Sequence, residues 1–211
     1  MATATAPTRT ATDDPLRAPE LDADRIAAAA LRIVDADGVR GFTMRAVAEA
    51  LGVTPMALYH HVADKAALAA LVIDAAAREI AFPSPTGDWR EDVLAMARWS
   101  RQTTLSHPGV GRLRSAYGVW TPSVLRMTEH WVALWRQSGL PLDAAVRAAN
   151  VSSAAIVGLV ASESAWREMA FPDQTLLDQL PNARLAFAAR HDPAAAFDLA
   201  VTALIDGLRS A

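Results

Sequence analysis

The sequence predicts an all-α protein, with an N-terminal helix-turn-helix domain of three to four helices followed by a larger helical domain. Three observations predict it. Apolar residues recur every three to four positions over most of the chain, without the sustained alternation that a half-buried strand needs. Residues that cap helices (Asp22 or Asp24, Thr43, Thr54, Asp64, Asp88, Thr121, Asp143 and Asp192) stand before those apolar runs, and glycine or proline closes most of them. Between Thr43 and Lys65 the caps and stops lie so close together that two short helices must meet at a tight turn.

Residues 1–20 are dominated by Ala, Thr, Pro and Asp without periodicity and read as a disordered tail; Arg9 and Arg17 are more simply solvated than inserted into a minor groove. Residues 21–82 form the first domain. Its first helix runs to Gly38, with Ile26, Ala30, Ile33 and Val34 as the buried stripe, and Phe42 packs into the same core. Thr43 caps a helix ending at Gly52, Thr54 caps a second with Pro55 at its first position, and Asp64 caps a fourth helix carrying Leu68, Leu71, Val72 and Ala75. The outward side of the second motif helix carries Thr54, Ala57, Tyr59, His60 and His61, a face short enough to enter a DNA major groove. An ordinary helical hairpin inside an all-α core fits the same spacing.

Residues 83–211 form the second domain. Asp88 caps a helix from Trp89 to about Ser106, closed by His107, Pro108 and Gly109; a short irregular helix lies around 111–116. Thr121 and Pro122 open a helix to Ser138, Asp143 caps a very long one to about Met169, a loop holds Phe171, Pro172 and Pro181, and Asp192 and Pro193 begin the last helix, to Leu208. No internal repeat is present.

Composition narrows the function classes. Cysteine is absent, so disulfides and thiolate metal sites are excluded, which suits a reducing compartment. The formal net charge of −3 arises in residues 1–80, where eight cations face eleven acids. Non-specific DNA binding is therefore weak, and useful affinity calls for two copies acting together. Locally, residues 40–65 hold Arg40, Arg45 and Lys65 against Glu49 and Asp64. The most apolar run, Val151 to Ala161, is short and broken by serines, so no membrane span is expected; nor is a secretory signal. The signatures of the common hydrolases, zinc peptidases, di-iron bundles and nucleotide-binding enzymes are missing, which leaves an enzyme only through an unrecognised site.

The run from Ile26 to Leu71, with G-F-T, A-x-x-L-G-V, L-Y-x-H-V and K-x-x-L in order, resembles the DNA-binding domain of TetR-type (TetR/AcrR) transcriptional repressors, above all the tetracycline-repressor branch. The resemblance implies a cytoplasmic homodimer that binds a palindromic operator and is released by a small-molecule effector. It places phosphate or base contacts at Thr43, Arg45, Tyr59, His61 and Lys65, and base reading at Thr54, Pro55, Met56 and Ala57, with His60 beside them. These base-reading side chains have little hydrogen-bonding capacity, so thymine methyls and groove shape carry more of the readout. Lys65 is the sole lysine and sits in the first turn of a helix, where the macrodipole favours an acid. No metal ligands and no cofactor are carried over.

All six tryptophans lie beyond residue 82. Met127, Trp131 and Trp135 share one helix face, and bulky rings beside His107, Tyr117, His130 and Glu163 suggest either a plain core or a pocket. With the resemblance, the pocket is expected to take a flat, largely apolar ligand among Trp99, His107, Tyr117, Met127, His130, Trp131, Trp135, Glu163 and Trp166. Small residues on the long helix, including Ala148, Ser152, Ala155 and Gly158, permit a close helix crossing, and Phe197, Val201, Leu204 and Leu208 stripe the last helix. Together they are expected to form a four-helix dimer interface, unless both stripes are consumed within one chain. The alternatives to a ligand-responsive regulator are an effector-independent architectural DNA-binding protein and, last, an enzyme.

Overall fold

The computed structural model describes residues 21–188 and 192–210; the tail expected over residues 1–20 lies outside them. Among the described residues there are eleven helices and no strand. They are α1 (Ala23–Gly41), α2 (Met44–Leu51), α3 (Pro55–Tyr59), α4 (Lys65–Glu79), α5 (Trp89–Ser106), α6 (Pro108–Tyr117), α7 (Pro122–Gln137), α8 (Leu142–Glu168), α9 (Gln174–Asp178), α10 (Pro181–Ala188) and α11 (Pro193–Ser210).

Two hydrophobic cores organise them. The first gathers Ile26, Leu31 and Val34 of α1, Val47 and Ala48 of α2, Leu58 of α3 and Leu68 and Val72 of α4 around Phe42. It also takes in Leu113 of α6, with Val110 and Tyr117 packed beside it, so a helix from beyond residue 82 completes the core of the first domain. That insertion is tight. A Cβ on Gly109 would stand 2.6 Å from both Cγ1 and the carbonyl oxygen of Val34, so only glycine lets α6 lie this close to α1. The second core joins Val93 and Met96 of α5, Trp131 and Trp135 of α7, Ile156 and Val160 of α8 and Phe197, Val201 and Ile205 of α11.

Several expected boundaries shift. α1 continues past Gly38, which bends it through φ 64°, and ends at Gly41. His107, Pro108 and Gly109 do not only close α5: Pro108 is the first residue of α6, a position where a missing N–H costs nothing. Pro141, not Asp143, precedes the first residue of α8, and Asp143 lies in its first turn. The loop expected around Phe171 and Pro181 contains α9 and α10.

The expectation that no segment could match a membrane span also fails on length and composition. α8 has 27 residues and an 18-residue window of mean hydropathy 1.5, of which 33% is buried in the chain. Its buried side (Ala145, Ala149, Ser152, Ile156, Val160) packs against α5, α7 and α11. The other side leaves Val151 and Val157 about half exposed.

That division corrects part of the expected dimer interface. Ala148, Ser152, Phe197 and Val201 are between 1% and 4% exposed within one chain, because the stripes of α8 and α11 close on each other and on α5. Ala155, Leu204 and Leu208 are half-buried and Gly158 is exposed. Val151 and Val157 of α8 and Leu199 of α11 remain exposed in the single chain.

Candidate nucleic-acid interface

The turn between α2 and α3 is built from side-chain caps. Thr43 Oγ1 accepts the Ala46 N–H at 3.0 Å, Thr54 Oγ1 accepts that of Ala57 at 3.2 Å, and Asp64 Oδ1 accepts that of Ala67 at 2.7 Å. Each threonine keeps its own O–H to donate outward. Gly52, at φ 67°, ends α2 with its N–H on the Glu49 carbonyl, and the Val53 N–H reaches Ala48. Val47, Ala48, Leu58 and Val62 hold the two helices to the first core, each at most 3% exposed.

Most of the residues expected to face DNA remain outward. Arg45, Thr54, Pro55, Met56, Tyr59, His60 and His61 are exposed, with Met56 at 69% and Tyr59 at 49%; Thr43, Ala57 and Lys65 are half-buried. The two histidines lie just after α3, where His60 donates its N–H to the Ala57 carbonyl, so they extend the tip of the helix rather than its flank. Neither Arg45 nor Lys65 has a carboxylate partner among the described residues. The face thus offers unpaired cations, hydroxyls and an exposed methionine, which suits phosphate contacts with apolar reading of base edges.

Most of the expected pocket residues do not converge. Tyr117 belongs to the first core, its ring 5.8 Å from that of Phe42 in an edge-on contact. His107, 7% exposed, sits at the domain junction with Nδ1 2.9 Å from Asp35 of α1 and Nε2 3.1 Å from Glu79 of α4. Trp131 and Trp135 are core residues whose indole N–H groups both reach Ser152 Oγ, at 2.8 and 3.0 Å. Glu163 chelates Arg101 through two 2.7 Å hydrogen bonds and also accepts from Arg167. Trp166 is exposed and touches Phe187, which in turn meets Phe171.

Three of the set do lie together. Trp99 and His130 each stand 5.0 Å from the ring of Phe82, and Met127 lies one turn before His130 on α7. Trp99 Nε1–H bonds the Ile80 carbonyl, fixing the inter-domain connection over α5. Asp92 fixes the rest of that connection, accepting from the Thr86 N–H and hydroxyl and from the Gly87 N–H. The Thr86 backbone bond is the main cause holding the Asp92 carboxyl below its ordinary range; burial opposes it, and the Thr86 hydroxyl, Gly87 N–H and His130 assist. A separate open cavity of about 410 Å³ lies between α5 and α11, lined by Arg98, Arg101, Gln102, Leu105 and Asp198 among others. Sequence reasoning did not single out Phe82, Arg98, Arg101 or the Asp35 and Glu79 partners of His107, whose distance along the chain leaves no local signal.

Among the described residues no group of three or more His, Asp or Glu side chains could hold a metal ion.

The comparisons agree with this geometry. Residues 26–72 match the family model for bacterial regulatory proteins of the tetR family, and residues 82–211 match that for the tetracyclin repressor-like C-terminal domain. An HTH-type transcriptional regulator of Saccharopolyspora erythraea is 33% identical over 71% of this chain and 64% of its own. The HTH-type transcriptional repressor DrrR1 of Streptomyces coeruleorubidus is 33% identical over 69% of this chain and 54% of its own. The chain therefore spans less than two thirds of the length of these relatives. Among solved structures, ActR of Streptomyces coelicolor in complex with actinorhodin is 27% identical with a TM-score of 0.70, covering 90% of this chain and 98% of that one. BioQ with its double-stranded DNA operator is 26% identical with a TM-score of 0.66, covering 91% and 100%. The second family match opens within the connection that Trp99 and Asp92 fix, and the two matches together take in most of both cores: the chain belongs to the TetR family of bacterial regulatory proteins.

Proposed function

We propose that the chain is a ligand-responsive transcriptional repressor that binds a palindromic operator as a homodimer in the cytoplasm and carries out no catalysis. The observation that carries the reading is the outward face of the α2–α3 turn, with its unpaired cations and freely donating threonines on a well-packed base. Thr43, Arg45, Tyr59, His60, His61 and Lys65 engage phosphates, while Thr54, Pro55, Met56 and Ala57 face base edges. Relatives of the same family are named as regulators and repressors, and BioQ was solved on its operator.

The dimer forms through the open sides of α8 and α11, with Val151, Ala155, Val157, Gly158 and Leu199 at its centre. These leave apolar surface that one chain does not cover, and small residues let helices approach closely. The effector binds against Trp99, Met127 and His130, displacing the half-exposed Phe82 ring that now lies against Trp99 and His130. Because Phe82 lies on the connection between the cores, its displacement moves α4 relative to α5, and by reciprocity operator weakens effector binding.

A duplex selected from a random-sequence library by the purified full chain tests the reading. A palindromic consensus bound at two chains per duplex is expected; selection of no sequence overturns it. A small-molecule library screened for release of that duplex separates a ligand-responsive repressor from an architectural DNA-binding protein.

A further inference from the structure

We infer that Tyr117 is a positioning residue for DNA binding: with Phe42 it clamps the Lys65 ammonium and aims it at an operator phosphate. Lys65 Nζ lies 5.8 Å from the centroid of the Phe42 ring and 5.7 Å from that of Tyr117, and the two rings meet at 71°. No carboxylate pairs with it among the described residues. A cation held by ring faces still offers N–H donors to an outside acceptor, whereas a cation held by a carboxylate spends one or two of them on that partner. The clamp therefore fixes the flexible four-carbon stem of Lys65 without using up what a phosphate needs.

This accounts for a residue that helix energetics disfavours. Lys65 is the first residue of α4, where the helix macrodipole repels a positive charge, and its neighbour Asp64 spends its Oδ1 on capping the Ala67 N–H. A compact ammonium also fits between two rings set edge to face, where a planar guanidinium stacks best on one.

The clamp joins the two halves of the chain. Phe42 and Lys65 lie in residues 26–72, while Tyr117 ends α6 and lies in residues 82–211. One phosphate contact thus depends on a side chain from the effector domain, at the end of a helix whose other end is tied by His107 to α1 and α4. The inference rests on the operator-binding reading above.

The test uses the full chain and a duplex selected from a random library by the unmodified protein. Tyr117→Leu is expected to weaken binding about five-fold per half-site and to flatten the slope of log affinity against log salt by up to about one unit per half-site. Tyr117→Phe retains the parental values. Because leucine also alters core packing, a second series replaces Tyr117 by phenylalanines carrying one to five ring fluorines, which drain the ring face while keeping its shape. A stepwise loss of affinity is expected at unchanged melting temperature. In Lys65→Ala the identity of residue 117 ceases to matter. Parental affinity throughout the fluorine series, or additive losses in the double variant, overturns the inference. An unmodified chain that selects no duplex overturns the operator-binding reading itself.

Discussion

Removing one hydroxyl from the second core measures how its tryptophans are held. Ser152 Oγ accepts the indole N–H of Trp131 at 2.8 Å and that of Trp135 at 3.0 Å, and donates to the Ala148 carbonyl at 2.7 Å. In Ser152→Ala the Trp131 N–H keeps the Ala149 carbonyl at 2.9 Å, but that of Trp135, 0% exposed, keeps nothing. One orphaned buried donor costs about 1–3 kcal/mol. The alanine methyl fills most of the space, so the cavity contribution is small, and about 2 kcal/mol is expected, or roughly 4–8 °C for a chain of this size. Trp135→Phe also loses ring volume, so its own cost mixes packing with hydrogen bonding. The double variant separates them: a coupling of at least about 1 kcal/mol is expected because the phenylalanine leaves no donor to orphan. Urea unfolding followed by far-ultraviolet dichroism at one fixed protein concentration supplies the values, since association adds concentration-dependent stability. A Ser152→Ala variant within about 0.5 kcal/mol of the parent, or strictly additive costs, refutes the reasoning.

Gly109→Ala places a methyl carbon against the Val34 backbone; it is expected to push α6 from α1 and cost about 1–3 kcal/mol, read by the same unfolding experiment. The Asp92 carboxyl is held below its unfolded value, so its contribution is complete above about pH 4 and disappears as pH falls through the folded value; Asp92→Asn should shallow the acid limb of a plot of urea midpoint against pH, and an unchanged limb counts against the Thr86 bonds as its cause. His107→Ala leaves Asp35 and Glu79 facing each other across the junction, and hydrogen exchange is expected to rise at the ends of α1 and α4 while the second core stays protected. Val157→Arg puts a charge on the open side of α8, and sedimentation should show monomer at concentrations where the parent is dimeric.

The α2–α3 turn was legible because its determinants are local: Thr43, Thr54 and Asp64 each cap a residue three positions on, and Gly52 needs only its own φ. The aromatic set was not, because periodicity says which side of a helix is apolar and not what covers it. Ser152 reads as a small residue permitting close approach, yet its role is set by two indoles 17 and 21 residues away. Pro108 carries two meanings, stop and first residue, and only the packing of α6 on α1 selects the second. His107 meets partners 72 and 28 residues distant, which no local window joins. The short α9, of five residues, completes too few turns to show a period.

The uneven cover of the tryptophans also gives the protein an optical address. Trp120, in the turn between α6 and α7, is 68% exposed and Trp166, near the end of α8, is 59% exposed, whereas Trp99, Trp131 and Trp135 are at most 8% exposed and Trp89 is partly covered. A collisional quencher such as iodide therefore meets chiefly two of six emitters, those at the red edge of the spectrum. In a Trp166→Phe background the strongly quenched component belongs to Trp120 alone, three residues beyond Tyr117 and stacked with Arg114 at 5.8 Å. Its Stern–Volmer slope would follow the C-terminal end of α6 without any added dye.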